Sequence, residues 1–389
     1  MPYSLVALVL ALCAILLPIT IAGSNLALGL LNFLLVLRIR KDGPRMLAAL
    51  RAEPMIAAIV LYAAVGMISA IFSSAQAASM HDAYKDMHRF WALSLFIAAL
   101  SVEPKTPLLQ VMGLSFGAMA LFGIYQTAFT ADPSWKLVRA HGFVHPVVFG
   151  EQMALAALGG ACVLLHPTSK AMRIAAGILT AFAVIALALS QTRMALFAAC
   201  VGLTLVALLE PRARRWVLPA LIIVVAIGVT WEYLPTNEGR SLIGTFTHYN
   251  PNNPQQMRWV LWKTAARMYR DHPLTGVGPG GYQRHFTAYH PGLLDNENPW
   301  SSAHNLYLHQ LAERGVIGAI ALLILCGTML ARAVRAARVH ADARALWSAG
   351  AVAILLTMSL TETSFQNEQF ATLFLLIWAM GTTSLRARV

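Results

Sequence analysis

Charge is what this sequence has least of. Only 12% of its 389 residues are Asp, Glu, Lys or Arg, while 58% are hydrophobic. Soluble domains carry about 25% charged residues. A chain so poor in charge cannot cover a water-facing surface, and lipid is the expected solvent. Cysteine is also scarce. Cys13, Cys162, Cys200 and Cys326 each lie in an apolar run, without the CxxC spacing of a metal site. Their expected role is packing. The apolar runs show no strand-like alternation, so the backbone must satisfy its amides as helices.

What is present is a series of long apolar segments. A bilayer core of about 30 Å needs about 20 apolar residues per crossing. The pattern predicts an all-α polytopic membrane protein with about twelve transmembrane helices. They span roughly 3–21, 25–37, 55–72, 88–101, 107–127, 147–165, 172–189, 193–209, 216–233, 304–330, 346–361 and 370–385. The N-terminal run resembles a signal peptide but lacks a charged start. It reads as two retained helices joined near Gly23-Ser24-Asn25. Three parts follow: helices one to nine over 1–231, a large, partly helical loop over 232–303, and helices ten to twelve over 304–389.

The net charge of +12 suggests nucleic acid, but membrane topology accounts for most of it. Basic residues concentrate in cytoplasmic loops. Seventeen of the 29 fall in loops of one side, around Arg38–Arg51, Lys105, Lys170, Arg212–Arg215, Arg332–Arg344 and Arg386–Arg388. That side is expected to be cytoplasmic and to carry both termini, and no nucleic-acid partner is implied. The other twelve, including Lys85, Arg89, Arg139, Arg193 and Arg258, fall on the outer face with His81, His141, His145, Glu151, Glu362 and Glu368. Ion-coupled transporters place ionisable groups near the midplane. Here they gather at the outer water boundary, so the working site is expected there.

The long loop is where chemistry concentrates. Asn253-Pro254 reads as an N-cap with proline at the first helical position, opening a helix that ends before His272-Pro273. On that helix Lys263, Arg267 and Arg270 share one arc. Arg258 faces Leu261, Trp262, Ala265 and Tyr269 on another. An arginine on an apolar face needs a protein carboxylate, a stacked Trp262 or a ligand phosphate. The turn Gly276-Val277-Gly278-Pro279-Gly280-Gly281 follows a helix and lacks Gly-Lys-Ser/Thr. It is expected to serve tight turns with positive φ rather than a nucleotide.

His304 opens the tenth apolar helix after Ser301 and Ser302. The projection puts it on a face with Leu308, Leu311 and Gly315, with Glu313 pointing away. At a helix start the dipole favours the neutral ring that a general base requires, although a packed core histidine is the alternative. His272, His285, His290, His304 and His309 show no zinc-type spacing, so no metal is expected. Arg193 in Ser190-Gln191-Thr192-Arg193 sits at a helix N-terminus, where either an anion or snorkelling would relieve it.

These segments together resemble the O-antigen ligase/polymerase family of bacterial envelope proteins. The similar residues are Ser190-Gln191-Thr192-Arg193, Arg258-Trp259 through Trp262, His272 to Gly278, His304-Asn305-Leu306-Tyr307-Leu308 and Glu313 to Gly318. Arg193 is followed by Met194 where relatives often have glycine. The resemblance implies a GT-C-like fold, no metal or other cofactor, and a Gram-negative inner-membrane enzyme working at the periplasmic face. The donor would be undecaprenyl-pyrophosphate-linked O-antigen and the acceptor lipid A–core. The resemblance places the essential histidine on His304 and two essential arginines on Arg193 and Arg258. Lys85, Arg89 and Arg139 are candidates for further anionic-substrate contacts. A polymerase, a protein O-oligosaccharyltransferase and a lipid-linked sugar transporter are the alternatives.

Overall fold

The computed structural model describes residues 4–129, 139–233, 254–290 and 299–383, and the described residues hold helices and no strand. We number the helices α1 (Leu5–Leu16), α2 (Ile21–Leu37), α3 (Ile39–Arg51), α4 (Pro54–Ile71), α5 (Gln76–Val102), α6 (Leu108–Phe129), α7 (Pro146–Leu165) and α8 (Lys170–Leu189). They continue as α9 (Arg193–Leu209), α10 (Arg214–Tyr233), α11 (Pro254–Asp271), α12 (Gly281–Tyr289), α13 (Leu306–His340), α14 (Ala343–Met358) and α15 (Glu368–Thr382).

Every apolar run expected to be helical is helical where it is described. Twelve full crossings are not confirmed. Among the described residues, six helices, α4, α6, α7, α8, α10 and α13, are long and apolar enough to span a membrane. The pair α2 and α3, bent by 111°, makes a seventh if it counts as one span. The chain is thus a multi-pass membrane protein, but length and composition do not support twelve full spans. At about 1.5 Å per residue, the 12-residue α1 and 15-residue α15 fall well short of a bilayer core. The 27-residue α5 is long enough, but its first half carries Asp82, Lys85, Asp86 and Arg89.

Three boundaries differ from the sequence reading, each for a physical reason. The α1–α2 join lies at 17–20 rather than at Gly23-Ser24-Asn25. Thr20 caps α2 by accepting the Gly23 amide at 3.4 Å. α3 is amphipathic and basic, so its charges mask it in an apolar scan. It buries Met46 and Ala49 and packs on α5. α5 starts at Gln76, a dozen residues before its apolar part, and its polar first half, which buries Ser79, Asp86 and Arg89, is masked by its charges in an apolar scan. The proposed cap Asn253 and the irregular stretch 235–252 lie outside the described residues. The loop between α10 and α13 also contains α12, which buries Tyr282 and Phe286 against α11.

Polar groups collect at two ends of the bundle. At one end Arg38 bonds Glu103 at 3.0 Å, and Arg332 bonds both oxygens of Glu53 at 3.1 Å. These join the ends of α2, α5, α4 and α13, the loops grouped by their basic charge. At the other end lies the candidate site. Between them runs a continuous core that buries Phe116, Phe149, Trp347, Phe374 and Trp378.

α13 is broken at Gly315 (φ 61°, ψ −162°). A break leaves backbone groups without helical partners, and buried ones must find others. The turn after α11 supplies them. Val277 and Gly278 donate their amides to the carbonyls of Ala312 and Glu313 at 2.9 and 2.8 Å, while Val316 donates to the Pro273 carbonyl at 2.8 Å. The turn docks so closely that a Cβ on Gly276 would lie 2.3 Å from the Glu313 carbonyl carbon. Gly276, Gly278 and Gly280 all have positive φ, as the sequence suggested. Thus His272 to Gly281 and Glu313 to Gly318 are two halves of one brace. It fixes the break in α13 against the turn after α11.

Candidate active site

A cavity of about 770 Å³ opens at this end of the bundle. Its wall draws on the polar start of α5, the start of α7, α12, the segment leading into α13 and the turn between α14 and α15. His304 lies in that wall, as do Lys85 and Arg89.

His304 does not begin α13. Asn305 is the cap, its Oδ1 accepting the Leu308 amide at 3.0 Å, and His304 precedes it with a left-handed φ of 46°. A helical projection therefore does not apply to it, and the dipole is not its principal neighbour. A carboxylate is. His304 Nδ1 lies 2.8 Å from Glu362 Oε2. The loop is pinned from several sides, since Asn305 Nδ2 donates to the Leu360 carbonyl at 2.9 Å and the Leu306 amide to Ser359 at 2.9 Å. Trp300 stands edge-on to the imidazole at 5.4 Å. Glu313, expected to point away, is 3% exposed. It accepts the Tyr282 amide at 3.2 Å and lies 3.4 Å from His309 Nε2. Once the helix breaks at Gly315, its faces no longer follow one phase.

Arg258 reaches the same carboxylate. Its Nη2 donates to Glu362 Oε1 at 2.8 Å. Of the three ways such an arginine could be satisfied, the structure shows the protein carboxylate. Glu362 therefore bridges His304 and Arg258, one oxygen to each. Sequence reasoning placed Glu362 on this face without giving it a role. A lone carboxylate at the end of an apolar run carries no motif, and only the turn after α14 brings it to the histidine. Lys263 and Arg270 are exposed as expected, while Arg267 donates to the Tyr289 carbonyl at 3.1 Å.

The other cations divide into groups. Arg193 is the first residue of α9, and Arg139 binds the residues just before it, donating to the Ser190 carbonyl at 2.8 Å and Thr192 Oγ1 at 3.3 Å. Neither is in the cavity wall. Lys85 is at the rim, 2.5 Å from Asp82, which also accepts from Arg284 at 2.7 Å.

Arg89 is a largely buried part of the cavity wall. Its Nη1 donates to Asp86 Oδ1 at 2.7 Å and its Nε to the Phe365 carbonyl at 2.7 Å. Asp86 also accepts from Arg314 at 2.5 Å, and Arg314 lies over the Tyr62 ring at 4.5 Å. Gly66 leaves room for that guanidinium, since a Cβ there would be 2.8 Å from its Nη1. Asp86 thus pairs with two buried arginines, one from α5 and one from α13. Removing one member of a buried ionic cluster leaves uncompensated charge and costs about 3–5 kcal/mol. Asp86→Ala is expected to lower the melting midpoint in detergent sharply, whereas exposed Lys85→Ala shifts it little. Equal midpoints would show that the cluster does not hold α4, α5 and α13 together.

The arrangement provides a histidine in the cavity wall whose Nδ1 contacts a carboxylate that also holds Arg258. No curated protein matches the chain. Residues 176–323 match the family model described as O-antigen ligase. That stretch runs from α8 into α13 and includes Arg193, Arg258 and His304. The match, on an all-helical membrane bundle, supports this chain as a member of the O-antigen ligase family.

Proposed function

We propose that the protein is an O-antigen ligase. It transfers O-antigen polysaccharide from undecaprenyl pyrophosphate to a sugar hydroxyl of lipid A–core, within a GT-C-like bundle in the Gram-negative inner membrane. The cavity faces the periplasm and both termini the cytoplasm. The observation that carries this reading is the contact between His304 Nδ1 and Glu362, at 2.8 Å in the cavity wall of a family member. A carboxylate only accepts hydrogen bonds, so in the neutral ring the proton sits on Nδ1, which supports Nε2 as the atom that takes the substrate proton.

The step follows from that tautomer. His304 Nε2 takes the proton of the acceptor hydroxyl. The acceptor oxygen bonds to the anomeric carbon, and the bond from that carbon to the pyrophosphate oxygen breaks. The electron pair leaves with undecaprenyl pyrophosphate. Direct displacement inverts the anomeric configuration. Arg193 and Arg258 meet the developing charge. Lys85 and Arg139 extend the positive surroundings, whereas Arg89, bound to Asp86 and the Phe365 carbonyl, acts by its field. Glu362 holds Arg258 until the phosphate arrives and then keeps His304 oriented. No metal or cofactor takes part.

Product analysis tests this. Purified protein is given undecaprenyl-pyrophosphate O-antigen and lipid A–core with EDTA present. Slower-migrating lipopolysaccharide is the expected product. Donor chains that lengthen while the acceptor is untouched would make the protein a polymerase. Donor left intact would point to transport.

A further inference from the structure

An imidazole that the mechanism above does not use shares the cavity with the His304–Glu362 contact. His145 lines the cavity and immediately precedes α7. We propose that His145 is a substrate-contacting residue, a fixed Nε2–H donor to a phosphoryl oxygen of the leaving lipid pyrophosphate. This rests on the function proposed above.

The start of α7 fixes the tautomer. Pro146 is the first helical residue and has no amide hydrogen, so Val147 bears the first free N–H. His145 Nδ1 accepts that amide at 3.3 Å. A neutral imidazole carries one ring proton. With Nδ1 accepting from the backbone, the proton must be on Nε2, away from the helix. Protonating Nδ1 would break the cap and put a cation at the positive end of a helix. Burial also disfavours the imidazolium, as do the nearby cation Arg139 and, more weakly, His304 and His141. Glu362 opposes them, and the balance holds His145 below the usual histidine range. The ring is therefore neutral where cells live. A neutral imidazole held at a helix start serves as a hydrogen-bond electrophile.

The two histidines are thus set to opposite tautomers. His304 presents an acceptor at Nε2 and His145 a donor at Nε2, in one cavity. When the glycosidic bond breaks, its electron pair moves onto the pyrophosphate oxygen. His145 gives up no proton. It hydrogen-bonds the phosphoryl group whose charge rises, which is the differential stabilisation that speeds a reaction. The start of α7 is braced for this, because Thr192 Oγ1 donates to the Pro146 carbonyl at 3.2 Å and Arg139 donates to Thr192.

Substitution can separate capping from donation. Ser caps helices well but has no second donor to reach the cavity. Asn caps through Oδ1 and still offers Nδ2–H. His145→Ser is expected to lower transfer about 10²-fold, at the scale of one lost donor to developing charge. It is also expected to weaken undecaprenyl pyrophosphate binding about tenfold, with its melting midpoint near wild type. His145→Asn is expected to stay within a few-fold (~3) of wild type in both. If His145→Ser proves unstable, His145→Thr supplies the same cap without the donor. A capped, stable Ser or Thr variant that binds and transfers like wild type would overturn the proposal. So would an Asn variant as impaired as the Ser variant. The binding arm separates the two readings: if the wild type transfers nothing yet His145→Ser still loses affinity, the ligase reading fails and the donor role stands.

Discussion

His304→Ala is expected to reduce transfer by about 10²–10⁴-fold, the usual contribution of a positioned general base. The melting midpoint should change little, because the ring is part-exposed and lies outside the packed core. Glu362→Gln should fall between wild type and His304→Ala. Gln keeps the shape but can present an amide hydrogen to Nδ1, which favours the wrong tautomer and frees Arg258 from its anionic partner. The loss in Glu362→Gln should therefore appear in turnover more than in acceptor KM. A His304→Ala enzyme with wild-type turnover would remove the base from the mechanism. A Glu362→Gln enzyme with wild-type turnover would make the contact incidental.

Gly315→Val is expected to be the most damaging change to the fold. Its φ of 61° and ψ of −162° lie in a region open essentially to glycine. A Cβ there would sit 2.2 Å from the Leu274 carbonyl oxygen, which is backbone and cannot yield cheaply. The strain alone costs about 1–3 kcal/mol, and the clash adds to it by pushing the 273–278 turn off the break in α13. Four backbone hydrogen bonds depend on that turn. Against a total stability of about 5–15 kcal/mol, loss of folded protein from the membrane, or a large drop in melting midpoint, is expected. Gly29→Ala is the control, since nothing lies within 4 Å of its added Cβ and its helix gains propensity. If Gly315→Val melts with the control, the brace does not matter to stability.

The apolar helices were legible because lipid as solvent forces long hydrophobic runs, and each such run is helical. Their number as crossings was not, because hydropathy does not distinguish a full span from the short α1 or α15. α3 and α12 were missed for the converse reason. Their charged faces hide the buried Met46 and Phe286 from an apolar scan. The glycine-rich turn was recognised as a turn, but its partner was invisible, since nothing local says that Val277 will bond Ala312. At the site, His304 and Arg258 stood out because each is costly where it lies. Glu362 did not, although it joins them. Arg89 seemed a ligand cation when counted by charge, and only the fold reveals that Asp86 already holds it together with Arg314.

The most direct measurement is the stoichiometry of one turnover. Undecaprenyl pyrophosphate released and acceptor glycosylated are counted together, for wild type and His304→Ala, in the presence of EDTA. The expected result is one pyrophosphate lipid per modified lipid A–core in wild type, with the inverted anomer in the product, and neither in His304→Ala above background. Wild-type release by His304→Ala, or glycosylation without release, would contradict the proposal that His304 drives transfer from the pyrophosphate.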